Sequence, residues 1–228
     1  MAEDLRVAIL VPMRPDHCHR DRLWSFCKAL WVERFPDWPI YEGLHLDGPF
    51  NRSAAINTAA RMAGNWDVAL IIDSDVICDP RSVRSSIDIA DLTGRMVVAH
   101  DARVMINQAG TTRILKGFRG AWDQRGMFER IWYDSVSSAV AVSRPLWESV
   151  DGFDEKFVGW GREDSAFQMS CEAEAGPFLR VSGKTFHLWH AHAPEGQHTS
   201  PLRQANEKRY EAYLAARWDR DAIKELRQ

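Results

Sequence analysis

Five consecutive apolar residues, Val68-Ala69-Leu70-Ile71-Ile72, stop abruptly at Asp73-Ser74-Asp75, and this junction constrains the fold more than any other stretch. A short β-branched apolar run bounded by polar turn residues reads as a strand buried in a parallel sheet. Asp73 and Asp75 then stand at its carboxyl end, the edge where open α/β sheets bind ligands. Residues two apart on an extended tip point the same way. The two carboxylates therefore suit one task, holding a hard divalent cation and, through it, a phosphate-bearing ligand. The same three residues equally suit a turn followed by a helix cap, and on this stretch alone both readings stand.

The flanking sequence repeats a strand, turn, helix rhythm. Val7 to Val11 reads as a strand stopped by Pro12, and Arg20 to Arg34, with Leu23, Phe26, Leu30 and Trp31 at helical spacing, reads as a helix. Ile40 to Leu46 predicts a strand and Ser53 to Met62 an alanine-rich helix; Asp79-Pro80 predicts a helix cap, and Met96 to Ala99 a fourth strand. This alternation argues for a parallel, nucleotide-binding type of sheet. Beyond Asp101 the rhythm changes. Ala102 to Leu115 predicts a β-hairpin turning near Ala109-Gly110, and Gly117 to Tyr133, rich in glycine, arginine and aromatics, predicts an acceptor-facing loop. Ser138 to Val142 predicts a strand, Pro145 to Val150 a short helix, Glu163 to Ala173 a helix, and Phe178 to Val181 a last short strand. The stretch from Gln204 to Leu226 is a charged, amphipathic tail.

With 228 residues and 45% hydrophobic composition, the chain can bury a substantial core as one domain. A formal charge of −3 gives no sign of a surface for holding nucleic acid, and no nucleic-acid partner is expected. Cys18, Cys27, Cys78 and Cys171 lack the paired spacing of zinc sites or disulfide frameworks, so reduced thiols in a cytoplasmic setting are the expectation. No run approaches the apolar length of a membrane span, and the acidic Met1-Ala2-Glu3-Asp4 does not read as a signal peptide.

Four separated segments carry a family resemblance: Val11-Pro12-Met13-Arg14, Phe50-Asn51-Arg52-Ser53-Ala54, Asp73-Ser74-Asp75, and Gly159-Trp160-Gly161-Arg162-Glu163-Asp164. Together, spanning roughly residues 6 to 192, they resemble the GT-A fold glycosyltransferases. The likeness is strongest to the β-1,4-galactosyltransferases and their relatives among the polypeptide N-acetylgalactosaminyltransferases. The tryptophan-glycine-x-glutamate-aspartate motif after Gly152-Phe153-Asp154 is the most specific of the four. No amino-terminal anchor or stem of the eukaryotic relatives is seen, which predicts a soluble bacterial or phage-type enzyme. The resemblance implies an α/β, GT-A (Rossmann-like), mixed and mainly parallel sheet flanked by helices in a single domain. Its expected bounds are 1–203, with a nucleotide-binding half over 1–100 and an acceptor and metal half over 101–203, and a helical tail over 204–228 packed on it.

Residue by residue, the resemblance implies that Pro12, Arg14, Phe50 and Arg52 surround the uracil and ribose of a UDP-sugar, since aromatic rings and guanidinium planes suit stacking on a base. Asp75 is implied as metal ligand and Asp73 as a contact to ribose or sugar. The other ligands are expected from His187-Leu188-Trp189-His190-Ala191-His192, with His190 ranked before His187 and with His192 and His198 read as surface. In the galactosyltransferases a methionine and a histidine three residues apart reach the metal; here both positions of that spacing are histidine. Carboxylate with imidazole predicts Mn²⁺, with Mg²⁺ the alternative. Asp164 is the implied base, Glu163 a residue positioning hydroxyls, and Trp160 a flat face for a sugar ring. The first helical turn predicts both carboxylates ionised. Retaining relatives have asparagine where Asp164 stands, so inversion is expected.

The stretch Ala193 to Pro201 is expected to be a loop that closes over the donor. The implied activity is transfer of a hexose or N-acetylhexosamine from a UDP-sugar to a hydroxyl acceptor on a glycan or protein, without integral membrane association. Two rivals remain at this stage. A sugar-phosphate nucleotidyltransferase usually has a glycine-rich basic loop after its first strand, which Val11 to Asp16 is not. A non-catalytic nucleotide-sugar or carbohydrate-binding module does not call for the intact Asp73, Asp75, Glu163 and Asp164 set.

Overall fold

A computed structural model describes residues 5–191 and 199–228. The central sheet grows from the apolar runs anticipated above: β1 (Val7–Met13), β2 (Ile40–Leu44) and β3 (Val68–Ile72), with β8 (Ala139–Ser143), β5 (Val97–Val98) and β9 (Leu179–Arg180). Their order is β2-β1-β3-β8-β5-β9. β1 runs parallel to β2 and β3, and β5 parallel to β9, while β8 is antiparallel to both its neighbours. The sheet is therefore mixed and mainly parallel.

Both faces of β1 and β3 are buried because alternate side chains enter different cores. Ile9, Val11, Leu70 and Ile72 face a core with α1 (His19–Arg34) and α3 (Pro80–Thr93); Ala8, Leu10, Ala69 and Ile71 face one with α2 (Arg52–Ala63), α5 (Arg144–Ser149) and α6 (Glu163–Ala175). Asp79 caps α3 with Pro80 in its first turn, as the sequence predicts. Asn51 caps α2 by accepting from the Ala54 amide.

A second, four-stranded sheet has the order β4-β10-β6-β7, built from β4 (Val76–Cys78), β10 (Lys184–His187), β6 (Ala102–Ile106) and β7 (Phe128–Trp132). Here three expectations are corrected. The hairpin predicted over Ala102–Leu115 is a strand, β6, followed by a helix, α4 (Gln108–Leu115). The Asn107 side chain accepts from the Gly110 amide and caps that helix, so Ala109-Gly110 lies inside α4 and not at a turn. The partner of β6 is instead β7, at the end of the stretch read as a loop. Phe178 to Val181 is not the last strand either, since β10 follows and pairs with β4 and β6.

α7 (Pro201–Ala215) and α8 (Arg220–Arg227) lie against α6 through Phe157, Ala166, Met169, Tyr213, Ala216 and Ile223. The Tyr213 hydroxyl and the Arg209 guanidinium both donate to the buried Asp154 carboxylate. His192, His198 and the expected closing loop from Ala193 onward fall outside the described residues as far as His198. Among the described residues, no helix is long and apolar enough to cross a membrane.

Candidate active site

The Asp73-Ser74-Asp75 turn joins the two sheets, leaving β3 at Ile72 and entering β4 at Val76. The Asp73 amide donates to the Ser138 carbonyl at 3.2 Å, and the Leu188 amide donates to the Asp75 carbonyl at 2.9 Å. These two bonds tie the acidic turn to the entry of β8 and the exit of β10. Because β10 pairs antiparallel with β4 in the register His187↔Val76, the histidine segment is delivered beside Asp75.

The consequence is a compact donor set. His187 Nε2 lies 3.4 Å from Asp75 Oδ1, and His190 Nε2 lies 3.1 Å from Asp75 Oδ2. Burial alone would raise the Asp75 pKa, but His187 and His190 outweigh it and hold the carboxyl below its ordinary range. Burial lowers the His187 pKa. Burial works the same way on His190, but its hydrogen bond and charge contact with Asp75 prevail and raise it. Arg20, which sequence reasoning passed over, places Nη2 3.0 Å from His190 Nδ1. No local pattern marks it, since it comes from the start of α1, far away in the chain.

A second cluster centres on Arg52 in the first turn of α2. Its guanidinium donates to Asp73 Oδ1 through Nε at 3.0 Å and Nη2 at 2.7 Å, and to Asp164 Oδ1 through Nη1 at 2.6 Å. Glu163 Oε1 lies 3.7 Å from the same Nη1. Arg52, expected with Pro12, Arg14 and Phe50 around the uracil and ribose, is held here by carboxylates from two other elements, one of them Asp73, itself expected at the ribose or sugar. What brings them together is a parallel bridge between Asn51 and Gly159, with the Gly159 amide donating to the Phe50 carbonyl at 2.9 Å. Gly161 (φ 108°) and Arg162 (φ 78°) then turn the chain so that Glu163 and Asp164 open α6 beside Arg52.

Asp164 departs from the expectation of a fully ionised first-turn acid. Burial pushes its pKa up to about 7, against the opposing pull of Arg52 and with Glu163 and Asp73 adding negative charge. Asp73 shifts the other way, because Arg52 more than offsets its burial.

The remaining predicted residues lie around this centre. Pro12 is buried within β1. Arg14, just past that strand, donates to the Gly48 carbonyl at 2.5 Å, which ties it to the loop leading to Phe50. Phe50 is half-buried and meets His45 edge-on at 6.4 Å between ring centroids. Trp160 is 52% exposed, and its ring is faced by the Arg203 guanidinium at 4.3 Å rather than by the carboxylates.

Comparison with known proteins gives the same architecture. The catalytic domain of Drosophila beta1,4galactosyltransferase 7 in complex with xylobiose superposes with a TM-score of 0.56 at 18% identity, over 89% of this chain and 79% of that one. GalNAc-T7 with UDP, GalNAc and Mn²⁺ gives 0.55 at 13% identity, over 94% of this chain and 48% of that one. TarS 1-349 of S. aureus with UDP-GlcNAc gives 0.53 at 12%, over 97% and 70%. Identities this low speak to the fold. Sequence supplies the rest, because residues 127–192, which hold Glu163, Asp164, His187 and His190, match the family model described as the N-terminal domain of galactosyltransferase. The chain is a glycosyltransferase of the GT-A fold. A comparison with curated proteins finds no match.

The glycosyltransferase's own donor set fits a divalent cation. Asp75, His187 and His190 each offer an atom within 4.8 Å of the others. Asp75 Oδ1, 3.4 Å from His187 Nε2, is buried without a hydrogen-bond partner, an arrangement that costs free energy unless something completes it. His190 turns Nε2 toward Asp75 Oδ2 at 3.1 Å, while its Nδ1 lies 2.9 Å from the Ala191 carbonyl oxygen and 3.0 Å from Arg20 Nη2; a cation held between Nε2 and Asp75 would take the place of the proton that bonds them. Mixed oxygen and imidazole ligation suits Mn²⁺ better than Mg²⁺.

Proposed function

We propose that this glycosyltransferase is metal-dependent and inverting, and moves a hexose or N-acetylhexosamine from a UDP-sugar to a hydroxyl of a glycan or protein acceptor. One observation carries the reading: Arg52 bridges Asp73 of the acidic turn to Asp164, so a candidate base stands beside the cation-binding cluster on one edge of the sheet. The neighbours crystallised with UDP and Mn²⁺ or with UDP-GlcNAc support the donor class.

In this reading Pro12, Arg14 and Phe50 border the nucleotide, Asp73 with Arg52 borders the ribose or sugar, and Trp160 faces a sugar ring. Asp75, His187 and His190 would hold Mn²⁺, which supplies positive charge opposite the leaving diphosphate. The acceptor hydroxyl gives its proton to Asp164 as its oxygen bonds to the anomeric carbon. The bond from that carbon to the diphosphate oxygen breaks, and its electron pair leaves with UDP. Attack from the face opposite the leaving group inverts the anomeric centre. Glu163 orients the hydroxyl. We also take residues 1–203 as the catalytic domain, 1–100 its nucleotide half and 101–203 its acceptor and metal half, with 204–228 as a tail. The setting is read as cytoplasmic, in keeping with four free cysteines.

The test is UDP release from a panel of UDP-sugars with Mn²⁺, run beside EDTA and Asp75→Ala. Turnover of one donor, lost in both controls, supports the reading. Turnover that survives both, or a retained anomeric configuration in the first product seen by NMR, overturns it.

A further inference from the structure

The strand register places a row of side chains beside the candidate metal cluster that the proposed reaction does not use. His187 on β10 pairs with Met105 on β6, which pairs with Arg130 on β7; Arg103 on β6 pairs with Trp132 on β7. Residues two apart on a strand share a face, so Arg103, Met105, Arg130 and Trp132 share the face that carries His187. The opposite face is the packed one, holding Val104 and Ile106 with Ile131 and Phe186. Arg130 stands two strand spacings, about 10 Å, from His187, on the side away from Asp75.

Arg103 is built in. Its guanidinium donates to the Ser137 hydroxyl at 2.7 Å and the Ser135 hydroxyl at 3.0 Å, and its Nε contacts the Met105 sulfur at 3.3 Å. Among the described residues no carboxylate comes within ion-pair distance of Arg103, although it is partly buried. Arg180 braces the same loop from behind by donating to the Ser135 carbonyl at 2.8 Å and the His100 carbonyl at 2.9 Å. The outer end of the row is open: Trp132 is 47% exposed, with the Arg130 guanidinium 5.1 Å from its ring centroid.

From Asp101 to Asp134 the sequence carries six basic residues and four acidic ones, in a chain of net charge −3. One of those acids, Asp123, is already paired with Lys184. A partly buried guanidinium held by neutral hydroxyls, with a second one exposed on the next strand, is an arrangement that favours an oxyanion.

We propose that Arg103, Ser135, Ser137 and Arg130 form a subsite for an oxyanion on the acceptor, so that the saccharide receiving the sugar carries a phosphate or a carboxylate. The separation of Arg130 from the Asp75 side distinguishes this group from the donor's diphosphate. The inference rests on the UDP-sugar reading above, and its test separates the two.

Glucose, glucose 6-phosphate and glucuronate are titrated against the protein by calorimetry, with UDP and Mn²⁺ saturating so that the donor site is filled. The two anionic probes are expected to bind about tenfold or more tightly than glucose, phosphate and carboxylate arms showing which oxyanion is preferred. Arg103→Gln and the exposed Arg130→Gln each reduce that advantage, while Arg103→Lys retains most of it. Equal binding of the three probes overturns the proposal, as does an anionic advantage that UDP abolishes or that both Gln variants leave intact. If UDP itself does not bind, the donor reading falls. Preference for the anionic probes, lost in Arg103→Gln, would even then uphold the oxyanion subsite, and no preference would overturn it.

Discussion

Arg52 and Asp164 are 112 residues apart in the chain, yet Arg52 Nη1 lies 2.6 Å from Asp164 Oδ1 while the other side of the guanidinium holds Asp73. Arg52 keeps 13% of its side chain exposed and Asp164 keeps 21%. One cation thus sets the position of two acids that come from different elements. Removing one partner of such a buried pair typically costs about 3–5 kcal/mol. Arg52→Ala is therefore expected to lower the melting temperature by about 10 °C at this chain length. Arg52→Lys keeps one charge without the fork. It should remain folded and lose about 100-fold in kcat, with a smaller change in donor KM. An Arg52→Lys variant that raises donor KM alone would return Arg52 to the nucleotide-stacking role anticipated from sequence.

The pH profile should report Asp164. The proposed base acts in its deprotonated form, and burial raises the Asp164 pKa to about 7. Turnover per enzyme at low substrate is expected to rise with pH through about 7 and then level off, with Asp164→Asn near-inactive throughout. Stability moves the other way. With a folded pKa above the unfolded value, the native state binds the extra proton between the two, so this group's contribution to stability falls as pH rises across that window. Denaturant midpoints for Asp164→Asn should lack that component. An unchanged pH dependence of stability in the variant would show that another group is responsible.

What was legible in the sequence was local. β1, β3 and the cap of α3 follow from apolar runs and neighbouring polar side chains, and no distant partner is needed to specify them. The hairpin reading of Ala102–Leu115 failed because Ala109-Gly110 looks like a turn in isolation; the Asn107 cap was the signal to heed. β10 was missed because Lys184 to His187 is stabilised by pairing with β6, some 80 residues earlier. Motifs brought Asp75, His187, Glu163 and Asp164 to notice, but not the inward turn of Arg52, the approach of Arg20 to His190, or the burial that shifts Asp164. Arg103 alternates with buried Ala102 and Val104, but nothing in that local pattern points to its serine partners over 30 residues away.

Metal binding should be visible without turnover. A cation that binds only the folded state at 100 times its Kd adds about 2.7 kcal/mol, or about 5–10 °C in melting temperature at this size. Mn²⁺ is expected to give such a shift, larger than that from Mg²⁺ at the same concentration, because two of the three donors are imidazoles. EDTA reverses it, and Asp75→Ala removes it. A Mn²⁺ shift of the same size in Asp75→Ala and in His187→Ala would place the bound ion elsewhere.

The position of Arg52 depends on how closely α2 lies on the sheet, and Gly43 in β2 controls that distance. A Cβ added at Gly43 would come within 1.8 Å of the Ala55 carbonyl oxygen and 2.7 Å of the Ala59 amide nitrogen, both backbone atoms of α2. Backbone cannot swing aside as a flexible side chain can, so the helix must move outward as a body. Overpacking of this kind costs about 1–3 kcal/mol and sometimes more, and contacts this short put Gly43→Ala at the upper end. Because Arg52 is the first residue of α2, the same displacement pulls its guanidinium from Asp73 and Asp164. Gly43→Ala is therefore expected to lower kcat even at temperatures where circular dichroism shows it folded, while Gly94→Ala, where an added Cβ meets nothing within 4 Å, costs stability through its left-handed φ of 65° and leaves kcat unchanged. Equal loss of kcat in both would mean that the α2 spacing does not govern the Arg52–Asp164 pair.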